Sequence, residues 1–165
     1  MHRYFIAILR AGIAAAILFG LFGQAVVIPT TAAEEVDRFP PYAAFATPYV
    51  MVAIAGVACV QVALVAVWML LTMVERDAIF TTRAFRWVDT VIGAAVVATL
   101  LAAGVTVHLG LAEIPAPDDG MDVVGALAAA TAAVGVGAAF AMLVVVMRSL
   151  LRKATDLQSE MAEVV

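Results

Sequence analysis

Four long apolar runs constrain this chain more than any other feature. They lie at about 5–28, 49–74, 88–111 and 123–147. Each approaches or exceeds the roughly 20 residues a helix needs to cross the hydrocarbon core of a bilayer. No water reaches that core, so the backbone there must satisfy its own hydrogen bonds, as a helix does. Threading the runs back and forth sorts the charge. Arg3, Arg10, Arg76, Arg83, Arg86, Arg148, Arg152 and Lys153 fall on one side, and Arg38 alone falls on the other. Lys and Arg collect on the cytoplasmic side of membrane proteins, which places both termini there. The expected fold is all-α: a membrane-embedded antiparallel four-helix bundle. Its outer loops cover 29–48 and 112–122, its inner hairpin 75–87, and its cytoplasmic tail 148–165 extends the fourth helix.

Composition agrees with this class. Apolar residues make up 65% of the chain and charged residues 13%, against about 45–50% and about 25% in soluble domains. The chain reads as one domain. Four spans use about 100 residues, which leaves short loops and no soluble catalytic domain. The net charge of −4 is unevenly placed. Glu34, Glu35, Asp37, Glu113, Asp118, Asp119 and Asp122 fall in the outer loops with Arg38. Such loops are suited to water, and attraction of cations is the functional alternative. The single cysteine, Cys59, lies inside the second run, where a small buried residue is expected, and one thiol forms no internal disulfide. The first run is longer than the apolar core of a signal peptide, about 7–15 residues, so it is expected to stay as a permanent helix.

The connections carry local signals. Pro29 is expected to break the first helix. Thr31 followed by Glu34 is a capping-box pattern, which predicts a short helix over 32–39, stopped by Pro40 and Pro41. Phe39, Tyr42, Phe45 and Tyr49 cluster nearby and suit the headgroup zone. This loop is expected to lie on the outer membrane surface, with a ligand-binding cap as the alternative. In the inner hairpin, Thr81 or Thr82 caps the third helix, while Phe80, Phe85, Trp87 and Trp68 act as aromatic anchors. Arg83 and Arg86 suit an anionic inner leaflet. The third connection contains Pro115, Pro117 and Gly120 and is expected to be irregular. Past Met147, Leu150, Ala154, Leu157, Met161 and Val164 keep one apolar stripe on a continuing helix. Asp156, Glu160 and Glu163 form an acidic stripe beside it.

Small residues let helices approach closely in lipid. They recur at every fourth position in each run. Helix one has Gly12, Ala16 and Gly20, leading to Gln24. Helix two has Ala55, Cys59 and Ala63. Helix three has Ala94, Ala98, Ala102, Thr106 and Gly110. Helix four has Gly125, Ala129, Ala133, Gly137 and Ala141. These stripes are the expected packing faces.

Polar residues within spans are costly and are therefore site candidates. Arg10 and Asp89 sit at similar depth and are candidates to pair. The alternative has Arg10 snorkelling to the interface and Asp89 capping or pairing with Arg86. Gln61, near mid-span, is expected to bond a neighbouring helix through a backbone carbonyl. Gln24 lies near the outer end of helix one, and His108 near the outer end of helix three. His108 is read as an interface residue, since the other histidine, His2, is at the opposite face. A zinc site needs several His, Cys or carboxylate ligands, and haem ligation between helices needs a second axial ligand. No phosphate-cradling glycine loop, nucleophile–base set or paired intramembrane carboxylates occur. No catalytic residue, cofactor or metal site is therefore expected.

Two stretches carry a family resemblance. The segment 79–89, Ile-Phe-Thr-Thr-Arg-Ala-Phe-Arg-Trp-Val-Asp, follows helix two. The segment 146–155, Val-Met-Arg-Ser-Leu-Leu-Arg-Lys-Ala-Thr, closes helix four, with Glu-Met-Ala-Glu-Val-Val at 160–165. With Pro40 and Val-Gln-Val-Ala-Leu at 60–64, these resemble the DUF2975 family of small bacterial membrane proteins, in its actinobacterial form, over nearly the whole chain. The resemblance implies four membrane helices in the bacterial cytoplasmic membrane and no established activity. Some members are similar to products encoded beside small helix-turn-helix regulators, which implies a regulatory membrane partner. The functional expectation is a non-enzymatic interaction or regulatory module that binds no nucleic acid. Its partners are the bilayer and either further copies of itself or another membrane or cytoplasmic protein. Arg83, Arg86, Arg148 and Arg152 mark the candidate inner surface, where Arg83 and Arg86 are placed to meet Asp156, Glu160 and Glu163. The alternative is a small oligomeric transporter or channel, its path lined by Gln24, Gln61 and His108.

Overall fold

The structure is a computed structural model that describes residues 2–75, 82–115 and 120–163, with the side chains of 4–75, 83–115 and 120–154. The described residues form helices and short connections, without strands. Helix α1 spans His2–Phe22, α2 Ile28–Arg38, α3 Ala43–Glu75, α4 Thr82–Leu111 and α5 Met121–Glu163. Four stretches of helix are long and apolar enough to cross a membrane.

Pro29 does not break the first helix. The chain widens into a π-helical turn over Gly23–Val27 and continues directly into α2. In the wide turn the N–H of Ile28 bonds to the carbonyl of Gly23. Proline has no N–H to offer the preceding turn. The Thr30 hydroxyl donates to the carbonyls of Val26 at 2.7 Å and Val27 at 3.1 Å, one turn earlier in the same helix. The stop comes at Phe39, whose backbone is extended ahead of Pro40, as the residue before a proline prefers. A short 3-10 turn, Pro40–Tyr42, leads into α3. At the other outer connection, Gly120 takes a φ of 73° just before α5, a left-handed backbone that suits glycine.

The helices pack as a row in chain order. Helices α1 and α2 lie against α3, α3 against α4, and α4 against α5. Contacts between α1 and α3 pair Arg10 with Thr72 and Glu75, Ile17 with Gln61, and Gln24 with Ile54. One number rises as the other falls, so these two helices run in opposite directions. The same holds for α4 and α5, where Asp89 meets Arg148 and Thr99 abuts Gly137.

On α3 and α4 the every-fourth stripes are part-buried, at Ala55, Cys59 and Ala63 and at Ala94, Ala98, Ala102 and Thr106, whereas on α1 and α5 the packing faces differ from them. On α5 the less exposed positions are Val123, Leu127, Ala130, Val134, Gly137, Ala141, Val144, Arg148 and Leu151, alternating four and three, with Ala138 beside Gly137. Gly125, Ala129 and Ala133 are exposed. On α1 the inward set is Ile6, Arg10, Ile13, Ile17, Gly20 and Gln24, while Gly12 and Ala16 are exposed. Four residues advance a helix about 40° beyond one full turn. A run of fourth positions therefore winds off the contact, whereas alternate steps of four and three stay on it. Gly110 likewise lies off the α4 face, and Cys59 is part-exposed rather than buried.

Little of the chain is buried. Only Ile6, Ile13, Ala66, Ala84 and Val91 form a closed core among the described residues. The accessible surface is 11121 Å², against about 7,800 Å² for a compact soluble protein of this mass. The excess is apolar: Phe19, Leu100, Val136 and Met142 are each more than half exposed. Such a surface is stable against hydrocarbon and not against water.

Candidate functional site

At the end of the row where α1 begins, two ion pairs join the helices. Arg10 donates to Glu75 at 2.7 Å and to the Thr72 hydroxyl at 3.1 Å. Its guanidinium lies 5.8 Å from the centre of the Trp68 ring, within cation–π range. Thr72 in turn donates to the Trp68 carbonyl. On the far side of the row, Arg148 donates from Nη2 to Asp89 at 2.9 Å, and its Nε lies 2.6 Å from the other carboxylate oxygen as an ion-pair contact without hydrogen-bond geometry. The expected Arg10–Asp89 pair does not form, and neither does the Asp89–Arg86 pair. Helices α1 and α4 are separated by α3, so equal depth does not bring their side chains together. Glu75 and Arg148 were the partners to find. The signal for Glu75 was its place at the very end of α3, level with Arg10.

Arg83 and Arg86 are exposed on the first turns of α4. With Trp87 and Thr90 they line a cleft of about 200 Å³. Arg152 and Lys153 are exposed on α5. The side chains of Asp156, Glu160 and Glu163 lie outside the described residues, as do residues 76–81 of the inner hairpin. The backbone of the tail continues as helix to Glu163.

The mid-span amides hold the α1–α3 seam. Gln61 donates to the Ile17 carbonyl at 3.4 Å, a long bond, and Gln24 to the Ile54 carbonyl at 3.1 Å. A carbonyl in a helix has a second lone pair, so each amide gains a partner without breaking the partner helix. Gln24 sits within the π-helical turn. Gly20 lies against the Gln61 amide and Val57, so a side chain there would require the Gln61 amide to shift.

At the outer end, His108 Nδ1 and the Tyr49 hydroxyl are 2.8 Å apart. The Phe45 ring stands edge-on to His108 at 6.2 Å. Tyr49 is the partner that the sequence reading missed. It lies in the aromatic cluster before helix two, level with His108 once α3 and α4 turn back on each other. Gln24, Gln61 and His108 thus lie on two seams, each in its own contact, and they do not line a common path. Beside Tyr49 is a cavity of about 340 Å³, bounded by α2, α3 and the first turns of α5. Among the described residues, no three His, Cys, Asp or Glu side chains gather closely enough to hold a metal ion.

Four apolar helices of spanning length, joined by polar clips at both ends, define the class: a multi-pass helical membrane protein. The chain belongs to the DUF2975 family, described as proteins of unknown function, whose model matches residues 30–165. The match starts after the first span, so the likeness is narrower than the whole chain. No curated protein and no solved structure matches it.

Proposed function

We propose that the protein is a non-enzymatic module of the bacterial cytoplasmic membrane, with both termini cytoplasmic, that acts through charged contacts on its inner face. One observation carries this reading. Arg10 and Arg148 are engaged in holding helices together, whereas Arg83, Arg86, Arg152 and Lys153 stand exposed. They offer four cations to an acidic partner or to anionic lipid. The sidedness of Lys and Arg supports the orientation. The other polar intramembrane groups, Gln24, Gln61 and His108, support a structural role, because each is already engaged by a neighbouring helix.

The test is cross-linking in native membranes with the wild type and with Arg83→Glu/Arg86→Glu. A partner that is lost on charge reversal, with the protein still at normal abundance, supports the reading. Unchanged recovery of every cross-linked species overturns it. A reporter fused after Val165 should be active only if it requires the cytoplasm. Activity of a periplasm-dependent reporter overturns the orientation.

A further inference from the structure

We infer that the outer cavity is a binding site for a free amphiphilic organic cation, an ammonium centre joined to an apolar group. This does not depend on the inner-face reading. The cavity measures about 340 Å³, at the small end of ligand sites, which run from about 300 Å³. Three aromatic rings line it, from Tyr42, Phe45 and Tyr49. Their positions are braced: Phe39 meets the Tyr42 ring edge-on at 4.9 Å, and Tyr49 is tied to His108.

The lining is almost wholly apolar, and two acidic residues border it, Glu35 from α2 and Asp122 from the first turn of α5. Glu35 also accepts from Arg38 at 2.8 Å, an exposed pair that a competing cation can displace at little cost. Asp122 has no ion-pair partner among the described residues. Glu34, Asp37 and Glu113 lie nearby in sequence and add field of the same sign.

This combination selects among occupants. Aromatic faces attract cations, and ammonium groups are the usual guests of such walls. A bare lipid tail would satisfy the rings but give the carboxylates nothing to bind. A small metal ion needs six or more oxygens, and methyl and ring carbons line most of this site. A zwitterionic lipid headgroup would bring a phosphate up to two carboxylates. An ammonium ion with an apolar substituent fits both features.

The test uses the full-length protein in neutral maltoside micelles, titrated calorimetrically with benzyltrimethylammonium. Its uncharged carbon analogue neopentylbenzene, benzenesulfonate and added phosphatidylethanolamine are the comparators. Saturable binding of the ammonium ion is expected, weakened about tenfold in Asp122→Asn or Glu35→Gln and in Phe45→Ala. Benzenesulfonate should not bind, and phosphatidylethanolamine should not displace the probe. Asp122 is exposed, so its variant retains the fold and decides the matter if the others do not fold. Equal binding of neopentylbenzene, displacement by phosphatidylethanolamine, no saturable binding, or an unaltered affinity in Asp122→Asn each overturns the assignment.

Discussion

Arg10 shows how a single side chain resolves two competing demands. Its stem leaves a span of apolar residues while its guanidinium reaches Glu75, Thr72 and the Trp68 ring near the end of α3. A double-mutant cycle should therefore find coupling of up to about 1 kcal/mol between Arg10 and Glu75, as for other part-exposed pairs. The same cycle between Arg10 and Asp89 should find none. Coupling to Asp89 would contradict the placement of α3 between them. Glycine gives a second residue-level test. A Cβ at Gly137 would run into the Thr99 hydroxyl and its Cβ on α4. Thr99 is already committed to the Ala95 carbonyl, so it cannot simply turn away. Gly137→Ala should destabilise the α4–α5 seam by about 1–3 kcal/mol. Gly125, with open space around it, should accept alanine within about 0.5 kcal/mol. Reversible unfolding in mixed micelles measures both.

At the level of the helix, existence was legible throughout and rotation only in part: the small-residue stripes of α3 and α4 are part-buried, and those of α1 and α5 are largely exposed. The spans follow from apolar length alone. The packing face requires the angle at which each helix meets its neighbour. On α5 the alternation of four and three, from Val123 to Leu151, sets that face, and it was hidden because alanine and valine occur all round the helix. Ala130→Trp should therefore disrupt packing by about 1–3 kcal/mol. Ala129→Trp and Ala133→Trp, on the lipid-facing side, should be tolerated. Equal sensitivity at all three would refute the assigned rotation. The π-helical turn is another feature invisible to pattern reading. Pro29 signals trouble for an α-helix but does not say whether the chain breaks or widens. Here the wide turn accommodates Pro29 and the helix stays continuous, which carries α2 up to the outer cavity.

For the molecule as a whole, the row of helices leaves most apolar side chains facing outward. An exposed position on a soluble protein accepts arginine freely. Val136, 71% exposed near the middle of the last span, should not, because its surroundings are hydrocarbon. Val136→Arg should cost about 2.5–3.5 kcal/mol in insertion, read as loss of membrane-integrated protein, whereas normal integration would argue that α5 does not face lipid at that depth. By itself the sequence determined the solvent of this protein, the number of crossings and the sorting of charge. Those depend on composition summed along each segment, and transfer to lipid is nearly additive over residues. Only the tertiary structure decided that Arg10 takes Glu75, that Asp89 takes Arg148, that His108 meets Tyr49, and that Tyr42, Phe45, Glu35 and Asp122 share a cavity. Each pairing needs two helices fixed in neighbour, height and rotation at once, and many weak contacts between small side chains set those three quantities together.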